Sequence, residues 1–328
     1  MKLLPLETLR RRAEANAFDI EAIDWGRGVD FTRPFFPVHL TPLSHTAVWA
    51  ELTPAERLDY NQLYAQSTNE QFIFLEEGFL VRVVGGVEAC GGLGLPADLR
   101  EALRGFHEEE VKHTEMFRRL NRLTDPAAYG ASDFRFLRLG KAEDAVLGLT
   151  ARKPGWLVFW VWLALAFEEK TIDYYRHYQR HAKERPDEPL DPLYEQVHHY
   201  HMLDEVRHVQ IDHHLVRELY VRCGRLVREV NVRLVARTLA AYARPKRTNM
   251  RLAEALCSRH PRLAPRLAEM KSQLRELATC RSWQEMTYSR RNAPQTFALF
   301  DEFPEMHALA RVLLCYTPER VGPTPATA

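Results

Sequence analysis

The chain has 328 residues, of which 46% are hydrophobic and 27% are charged, and its formal net charge is +1. A chain of this length can hold one large domain or two smaller ones with a sizeable core, and the balanced charge argues against an obligate polyanionic partner such as a nucleic acid. Residues 154–167 are the longest uncharged run, which is too short to span a bilayer as a helix, and residues 1–17 lack the apolar stretch of a signal peptide.

The first part of the chain combines a proline-rich lead-in with the start of a long helix. Residues 1–50 contain few periodic runs beyond a short amphipathic segment at residues 4–17, and we expect them to wrap the domain as a mostly irregular segment. Thr53, Pro54 and Glu56 have the N-cap, N1 and N3 positions of a helix start, and the helical pattern continues from there to about residue 85.

The rest of the chain is predicted to be helical as well, because strand signals are weak throughout. Breaks rich in glycine, proline or polar residues separate helices over residues 97–123, 141–150, 154–182, 192–223 and 225–244. Shorter helices follow Pro245, and residues 321–328 are expected to form a loose tail. The sequence thus predicts an all-α chain, with a lead-in over residues 1–50, a bundle with four core helices over residues 51–245, and a C-terminal helical extension over residues 246–328 that packs on the bundle.

The four core helices are those predicted over residues 53–85, 97–123, 154–182 and 192–223, and one face of the fourth carries side chains of the types that bind metals. His201, Glu205 and His208 lie at positions i, i+4 and i+7 and therefore share a face, and apolar residues around them indicate a core helix. Two imidazoles and a carboxylate that point into a core are unfavourable without a partner, and all three are metal ligands. The second core helix repeats the Glu-x-x-His motif with Glu110 and His113, which also project from one face.

The first and third core helices each carry two adjacent glutamates within an apolar segment, Glu76-Glu77 and Glu168-Glu169. Taken alone, each doublet is also compatible with a solvated helix face, and the spacing does not decide which member of a doublet faces the core. One glutamate from each of two helices, with Glu-x-x-His from each of the other two, is the ligand set of the carboxylate-bridged di-iron proteins. The pattern therefore predicts a ferritin-like four-helix bundle with additional N- and C-terminal helices.

Two further acids stand beside the motifs. Glu109 and Asp204 each precede the glutamate of one Glu-x-x-His motif, where an acid could accept a hydrogen bond from the non-coordinating nitrogen of the opposite motif's histidine. They are equally compatible with ordinary acids on a helix surface. We interpret the remaining histidines near the motifs as surface or supporting residues and not as ligands: His107, His198, His199, His213 and His214.

Over residues 50–225 the chain resembles the AurF-type di-iron N-oxygenases, the family that includes p-aminobenzoate N-oxygenase. That family has an additional histidine ligand four residues before its last Glu-x-x-His, and His201 stands at this position. In that family the first ligand lies seven residues after the asparagine of an Asn-Glu-x-x-Ile run, and counting from Asn69 gives Glu76. The third ligand lies three residues before an Ile-Asp pair, which here gives Glu169. The ligand set that the resemblance implies is Glu76, Glu110, His113, Glu169, His201, Glu205 and His208.

The resemblance implies an O₂-activating non-haem oxygenase with two iron ions, for which manganese is an alternative occupant. We expect Glu110 and Glu205 to bridge the ions, with Glu76 and His113 on one iron and Glu169, His201 and His208 on the other. The expected reaction is N-oxygenation of an amine of a small, aromatic metabolite. Gln71 stands where the aminobenzoate enzyme leads us to expect a basic residue, which weakens the expectation of the same carboxylated arylamine.

The partners that the sequence predicts are a small-molecule substrate and an electron donor, with no nucleic acid and no membrane. The chain has no GxGxxG fingerprint, flavin motif or iron–sulfur spacing, so electrons must come from an external reductase or ferredoxin-type protein. Five cysteines without a CxxC spacing indicate a reducing cytoplasm. A homodimer is expected from the resemblance and from the apolar excess of the first and third core helices.

Several alternative functions are compatible with the same candidate residues. A C–H hydroxylase, a desaturase or another oxidase could have the same ligands, because fold and ligands do not determine the reaction. An iron-oxidising, metal-handling protein and a metal-free helical interaction protein are more distant alternatives. The aromatic run of the third core helix favours core packing but could also wall a substrate pocket, and comprises Trp156, Phe159, Trp160, Trp162 and Phe167.

Overall fold

The computed structural model describes residues 3–138, 140–151, 153, 155–245 and 247–319. Within these ranges every regular element is helical. The α-helices are α1 (Leu6–Asn16), α2 (Val48–Glu51), α3 (Pro54–Ile73), α4 (Val81–Ala89), α5 (Ala97–Thr124), α6 (Pro126–Tyr129), α7 (Lys141–Ala151), α8 (Phe159–Glu184), α9 (Pro192–Tyr220), α10 (Arg225–Tyr242), α11 (Arg247–Arg259), α12 (Leu267–Glu276), α13 (Arg281–Thr287) and α14 (Pro294–Glu302).

A π-helical segment, Phe74–Leu80, joins α3 to α4 without a break in the helical path. Short 3₁₀ helices lie in the lead-in, between α4 and α5, and in the C-terminal region, at Ile20–Ala22, Trp25–Arg27, Val38–Leu40, Pro42–His45, Gly91–Leu93, Pro261–Arg266, Leu277–Thr279 and Pro304–Arg311. The tail predicted over residues 321–328 lies outside the described residues.

Four long helical paths form the bundle: α3 with its π-helical continuation and α4, then α5, α8 and α9. Helix α8 packs along α9, and α5 packs against both α3 and α9. The inner faces of these helices supply most of the largest apolar core, which includes Phe79, Phe106, Trp162 and Val209. The all-α, ferritin-like bundle predicted from the sequence is confirmed.

Local sequence signals fix where two of the bundle helices begin. At α3, Thr53 Oγ1 accepts a hydrogen bond from the Glu56 N–H at 3.3 Å, and the Glu56 carboxylate accepts one from the Thr53 N–H at 2.8 Å. This reciprocal capping box, followed by Pro54, is the helix start that the sequence predicts. Helix α9 starts similarly, because Asp191 Oδ1 accepts from the Tyr194 N–H at 2.8 Å.

Helix α8 begins at Phe159, later than the predicted start at residue 154, which itself lies outside the described residues. The cause is a side chain from α10. Asn231 Oδ1 accepts a hydrogen bond from the Phe159 N–H at 2.7 Å, and Asn231 Nδ2 donates to the Trp156 carbonyl at 2.9 Å. This cap comes from a distant part of the chain, and so periodicity within the helix could not reveal it.

The segments before and after the bundle pack on it. Helix α1 lies against α5 and α9, and the Leu4 N–H donates to Gln210 Oε1 at 3.1 Å. Helix α11 packs on α3, and α14 packs on both α8 and α9. The boundaries of the lead-in at residue 50 and of the extension at residue 246 stay a prediction. None of the helices in the described part of the chain combines the length and hydropathy needed to cross a membrane.

Candidate metal centre

Two overlapping groups of ligand side chains lie inside the bundle. In each group, one possible ligand atom per residue lies within 4.8 Å of the others. All members are nearly fully buried, with at most 2% of each residue exposed. The first group consists of Glu110, His113, Glu205 and His208, and the second of Glu76, His113 and His201. The cluster therefore draws ligands from the π-helical segment, α5 and α9.

Glu110 and Glu205 lie between the two histidines of the Glu-x-x-His motifs. Glu110 Oε1 is 3.5 Å from His113 Nδ1 and 2.9 Å from His208 Nδ1. Glu205 Oε1 is 3.2 Å from His113 Nδ1, and Oε2 is 3.4 Å from His208 Nδ1. Both carboxylates thus face both histidines.

His201 belongs to the same end of the cluster as Glu76. His201 Nε2 is 3.0 Å from Glu76 Oε1 and 2.8 Å from Glu205 Oε1, and its ring centroid is 4.5 Å from that of His113. The expected assignment of His201 to the same ion as His208 stays a prediction, but in this geometry His201 lies beside Glu76 and Glu205. The reason is helical phase: residues four apart on α9 are neighbours, but residues seven apart are separated by two turns along the axis.

The third core helix presents Glu168, and not Glu169, to the cluster. Glu168 Oε2 lies 3.9 Å from His208 Nδ1. The carboxylate of Glu169 instead accepts hydrogen bonds from the backbone N–H groups of Gln295 at 2.8 Å and Thr296 at 2.9 Å, at the start of α14. The choice of Glu169 is corrected accordingly, because its side chain is engaged in packing the C-terminal extension on α8.

Of the first glutamate pair, the structure brings Glu76 to the cluster and turns Glu77 away. Glu76 is 2% exposed, whereas the Glu77 side chain is 54% exposed and pairs with Arg118. Both residues lie in the π-helical segment. A π-helix inserted in an α-helix changes the phase of the residues that follow it, and such segments are frequent at functional sites.

The histidine of each Glu-x-x-His motif contacts an acid that stands beside the other motif. His113 Nε2 is 3.0 Å from Asp204 Oδ2, and His208 Nε2 is 2.8 Å from Glu109 Oε2. If each Nε2 donates to its acid, each Nδ1 is free to bind a metal. Arg207, which the sequence reasoning missed, donates to both acids at 2.5 Å. Its position inside the Glu205-x-x-His208 motif was the signal available for finding it.

The donor set fits two divalent cations. Several atoms of the cluster are buried and lack a hydrogen-bond partner among the described residues. They are the carboxylate oxygens of Glu76, Glu110 and Glu205 and the Nδ1 atoms of His113 and His208. Leaving many buried polar atoms unpaired is strongly destabilising, and coordination to a cation satisfies them. With Glu168, the cluster has four carboxylates, whose charge two dications would balance.

The electrostatics of the cluster also favour cations. Burial raises the pKa of Glu76 far above its usual range, and the neighbouring Glu110 carboxylate raises it further. Burial alone would lower the pKa of His113, but the hydrogen bond to Asp204 and the nearby carboxylates of Glu110 and Glu205 raise it overall. Without metal the cluster must therefore take up protons, and positively charged ions compete for the same atoms.

A cavity of about 650 Å³ lies beside the cluster, between the bundle and the C-terminal helices. Phe74, Leu75 and Phe167, chain neighbours of Glu76 and Glu168, form part of its wall. A separate recess of about 10 Å³ shares Leu75 and Phe167 with the cavity and is also lined by Phe72, whose ring centroid lies 5.0 Å from that of His201. The cavity thus lies next to the helical segments that carry Glu76 and Glu168.

The aromatic residues of α8 divide between this cavity and the core. Trp160 and Phe167 line the cavity. Trp162 is fully buried and packs against Phe300, with ring centroids 5.5 Å apart, while Trp156 is 72% exposed. Phe159 packs on Trp160 with ring centroids 4.2 Å apart. The sequence reasoning did not identify other lining residues, among them Tyr64, Lys170, Tyr174 and Tyr242.

A buried glutamate fixes the loop that closes the cavity. The carboxylate of Glu70, on α3, accepts hydrogen bonds from the Tyr129 hydroxyl at 2.7 Å and from the backbone N–H groups of Arg135, Phe136 and Leu137, the last at 2.6 Å. Leu137 lines the cavity. Glu70 therefore supports the cavity wall, one turn before Phe74.

Comparison with known protein families matches residues 5–256 to the family described as P-aminobenzoate N-oxygenase AurF. This match extends beyond residues 50–225, to include α1 and most of α11. A search of curated proteins finds no match.

Proposed function

The chain belongs to the P-aminobenzoate N-oxygenase AurF family, and from this premise we propose that it is a di-iron oxygenase that uses O₂ to N-oxygenate an amine of a small aromatic metabolite. The observation that carries the proposal is the buried cluster of carboxylate and imidazole atoms without hydrogen-bond partners, with His201 beside Glu76. An oxygenase family and a cluster compatible with two metal ions support the same conclusion.

In the proposed centre, Glu76, His113 and His201 hold one ion, and Glu168 and His208 hold the other. Glu110 and Glu205 would be shared by the two ions, as their distances to both histidines support. Carboxylates and imidazoles together suit iron, and manganese is the alternative occupant. When bound, the metal pair supplies the activation of O₂.

The chain's own side chains would orient the centre and keep it dry. Glu109 and Asp204 hold the His208 and His113 rings so that each Nδ1 faces the centre. The Phe106 ring lies over the His208 ring with centroids 3.9 Å apart, and Phe72 covers His201. These apolar rings exclude water from the ligands, which strengthens electrostatic interactions inside the site.

The overall reaction requires an external reductant. One atom of O₂ enters the N–O bond of the product, and the other leaves as water after two electrons and two protons are supplied. We propose a reductase or ferredoxin-type donor, because the sequence has no flavin or dinucleotide fingerprint. The five free thiols support a reducing cytoplasm as the compartment. A homodimer remains part of the proposal.

The test combines metal analysis with product analysis. The protein is loaded anaerobically with Fe(II) and freed of excess metal, and its iron content is expected to be about two per chain. It is then exposed to O₂ and a chemical reductant with a panel of arylamines, alkylamines and fatty acids. Mass spectrometry is expected to detect hydroxylamine, nitroso or nitro products of arylamines.

Two results would overturn the proposal. Oxygen incorporation only into C–H bonds would identify a C–H hydroxylase with the same ligands, and iron oxidation without any organic product would identify a metal-handling protein. The variant His201→Ala tests whether His201 belongs to the centre. Unchanged product formation in this variant at wild-type iron content would remove His201 from the proposed centre.

A further inference from the structure

The cavity beside the cluster is larger than a single aromatic ring requires. Its volume is about 650 Å³. A water molecule occupies about 30 Å³ in the liquid, so a single-ring arylamine of about ten non-hydrogen atoms needs roughly 300 Å³ at most. Sites of about 300–1,000 Å³ typically enclose much larger ligands. A one-ring substrate would thus leave about half of the cavity to water.

Among the described lining residues, the cavity interior has one buried cation, which already has a counter-charge. Lys170 lines the cavity and is 5% exposed. Its Nζ donates to Asp173 Oδ2 at 2.8 Å and to the Met286 carbonyl at 2.7 Å. Since the Lys170–Asp173 pair is neutral as a unit, a ligand carboxylate placed here would be a further, uncompensated buried charge, which is strongly unfavourable.

Other charged residues of the described lining lie at the cavity mouth. Glu143 and Arg244 are both exposed and have opposite charges. Charges at such a position are screened by solvent and select weakly between ligands. The interior of the described lining therefore offers no unpaired positive charge to an acid.

The remaining polar groups of the interior are neutral. The Tyr242 hydroxyl donates to Gln71 Oε1 at 3.2 Å, and Gln71 Nε2 donates to the Ser67 carbonyl at 3.2 Å. Asn249 Oδ1 is a buried acceptor that lacks a hydrogen-bond partner among the described residues. The groups of Gln71 and Tyr242 can recognise hydroxyl and amide groups of a ligand, whereas the Asn249 oxygen is closed to solvent.

From these contacts we infer that the substrate is an uncharged arylamine, larger than one ring, with amide or hydroxyl groups along its length. This inference rests on the proposed function and specifies its substrate class. The amine end lies against Leu75 and Phe167 at the inner wall of the cavity, and the remainder of the molecule fills the cavity toward the mouth. Specificity then comes from apolar contact and neutral hydrogen bonds, with Gln71 as the determining polar residue.

The test measures binding, so that it does not depend on turnover. Calorimetric titration of the iron-loaded protein under nitrogen compares 4-aminobenzoate, 4-aminobenzamide and N-benzyl-4-aminobenzamide. The first two differ in charge at nearly constant size, and the last two differ in size. We expect the amide to bind at least tenfold more tightly than the acid, and the N-benzyl amide at least tenfold more tightly than the amide.

Either of two results overturns the inference: equal or tighter binding of the acid than of the amide, or no gain from the benzyl group. Tight binding of the neutral ligands without any oxygenated product would instead count against the proposed function and leave the inference standing. The two failures are therefore distinguishable in one set of samples.

A variant pair tests the role of charge directly. Gln71→Lys adds an unpaired cation to the cavity wall, and it should reverse the order of the acid and the amide. Gln179→Lys makes the same change at an exposed position of α8 and should leave the order as in the wild type. An unchanged order in a folded Gln71→Lys protein would contradict the assignment. Asp173→Asn, which removes the counter-charge of Lys170, provides the second variant and should also favour the acid.

Discussion

Glu109 on α5 and His208 on α9 are joined by a contact of 2.8 Å between Oε2 and Nε2, although each belongs to a different Glu-x-x-His motif. The reciprocal contact, between Asp204 and His113, is 3.0 Å long. Arg207 contacts both acids and so couples the two. The metal-binding face of each helix is thus oriented by the other helix, and the two motifs form one unit.

The first prediction concerns the contact between Glu109 and His208. Glu109→Ala removes the acceptor from His208 and should lower metal affinity by about 10–100-fold, the usual effect of losing an outer-shell partner of a ligating histidine. Competition with a chelator of known affinity measures it. Glu108→Ala, at the exposed neighbouring position, is the matched control and should keep wild-type affinity. Equal affinities in both variants would show that the Glu109 contact does not support the centre.

The second prediction separates the two adjacent glutamates of α8. Glu168→Ala should reduce the metal content of the purified protein, because one ion loses its terminal carboxylate. Glu169→Ala should keep its metal but lower the unfolding temperature, since the N–H groups of Gln295 and Thr296 each lose an acceptor, at about 1–3 kcal/mol per unpaired group. Metal analysis and thermal unfolding measure the two effects, and the reverse outcome would restore Glu169 as the ligand.

Much of the bundle could be predicted from the sequence because its signals are local. The capping box at Thr53, the spacing of Glu110 and His113, and the helical face shared by His201 and Glu205 each involve residues within one or two turns of a helix. Such local patterns predict the structure correctly because the geometry of a single helix sets the relative directions of its side chains.

The features that the sequence did not predict depend on distant parts of the chain. Glu169 turns away from the cluster because it meets the start of α14, whose residue Gln295 is 126 positions later. The direction in which the Glu76 side chain points depends on a π-helical segment, whose sequence pattern resembles that of an ordinary α-helix. The cavity requires α7, α10 and the C-terminal helices together, and so no single helix pattern could indicate its size.

The third prediction tests the close packing in the π-helical segment. A Cβ at Gly78 would lie 2.9 Å from Cδ2 of Phe74, which lines the cavity, whereas a Cβ at Gly85 in α4 would meet nothing within 4 Å. Gly85→Ala should therefore stabilise the protein by about 0.5–1 kcal/mol, as in an ordinary helix. Gly78→Ala should destabilise it by about 1–3 kcal/mol, the usual effect of overpacking.

Chemical denaturation of both alanine variants measures these free energies of unfolding. Binding of N-benzyl-4-aminobenzamide should weaken only in Gly78→Ala, because the Phe74 ring must shift. Equal stabilisation by the two substitutions would mean that the close approach between Gly78 and Phe74 is absent in solution.

The fourth prediction is a pH dependence of stability from His198. This residue is 2% exposed and lies among Phe72, Phe117 and Tyr178, with its Nε2 lacking a partner among the described residues. Burial lowers the pKa of His198 from 6.5 to about 3. Because the folded pKa is below the unfolded one, the unfolded state binds more protons between pH 6.5 and 3, and stability is lost as the pH falls through this window.

His198→Leu removes this proton uptake at similar side-chain volume. Relative to the wild type, the variant should gain about 1.4 kcal/mol in unfolding free energy for each pH unit below 6.5. Burial also lowers the pKa of His39 and His213, each to about 4, but both residues are present in the two proteins and cancel in the comparison. Urea unfolding of the metal-free proteins between pH 7.5 and 4.5 measures the difference without interference from metal release. Parallel stability curves over that range would show that His198 is protonated as readily in the folded protein as in the unfolded chain.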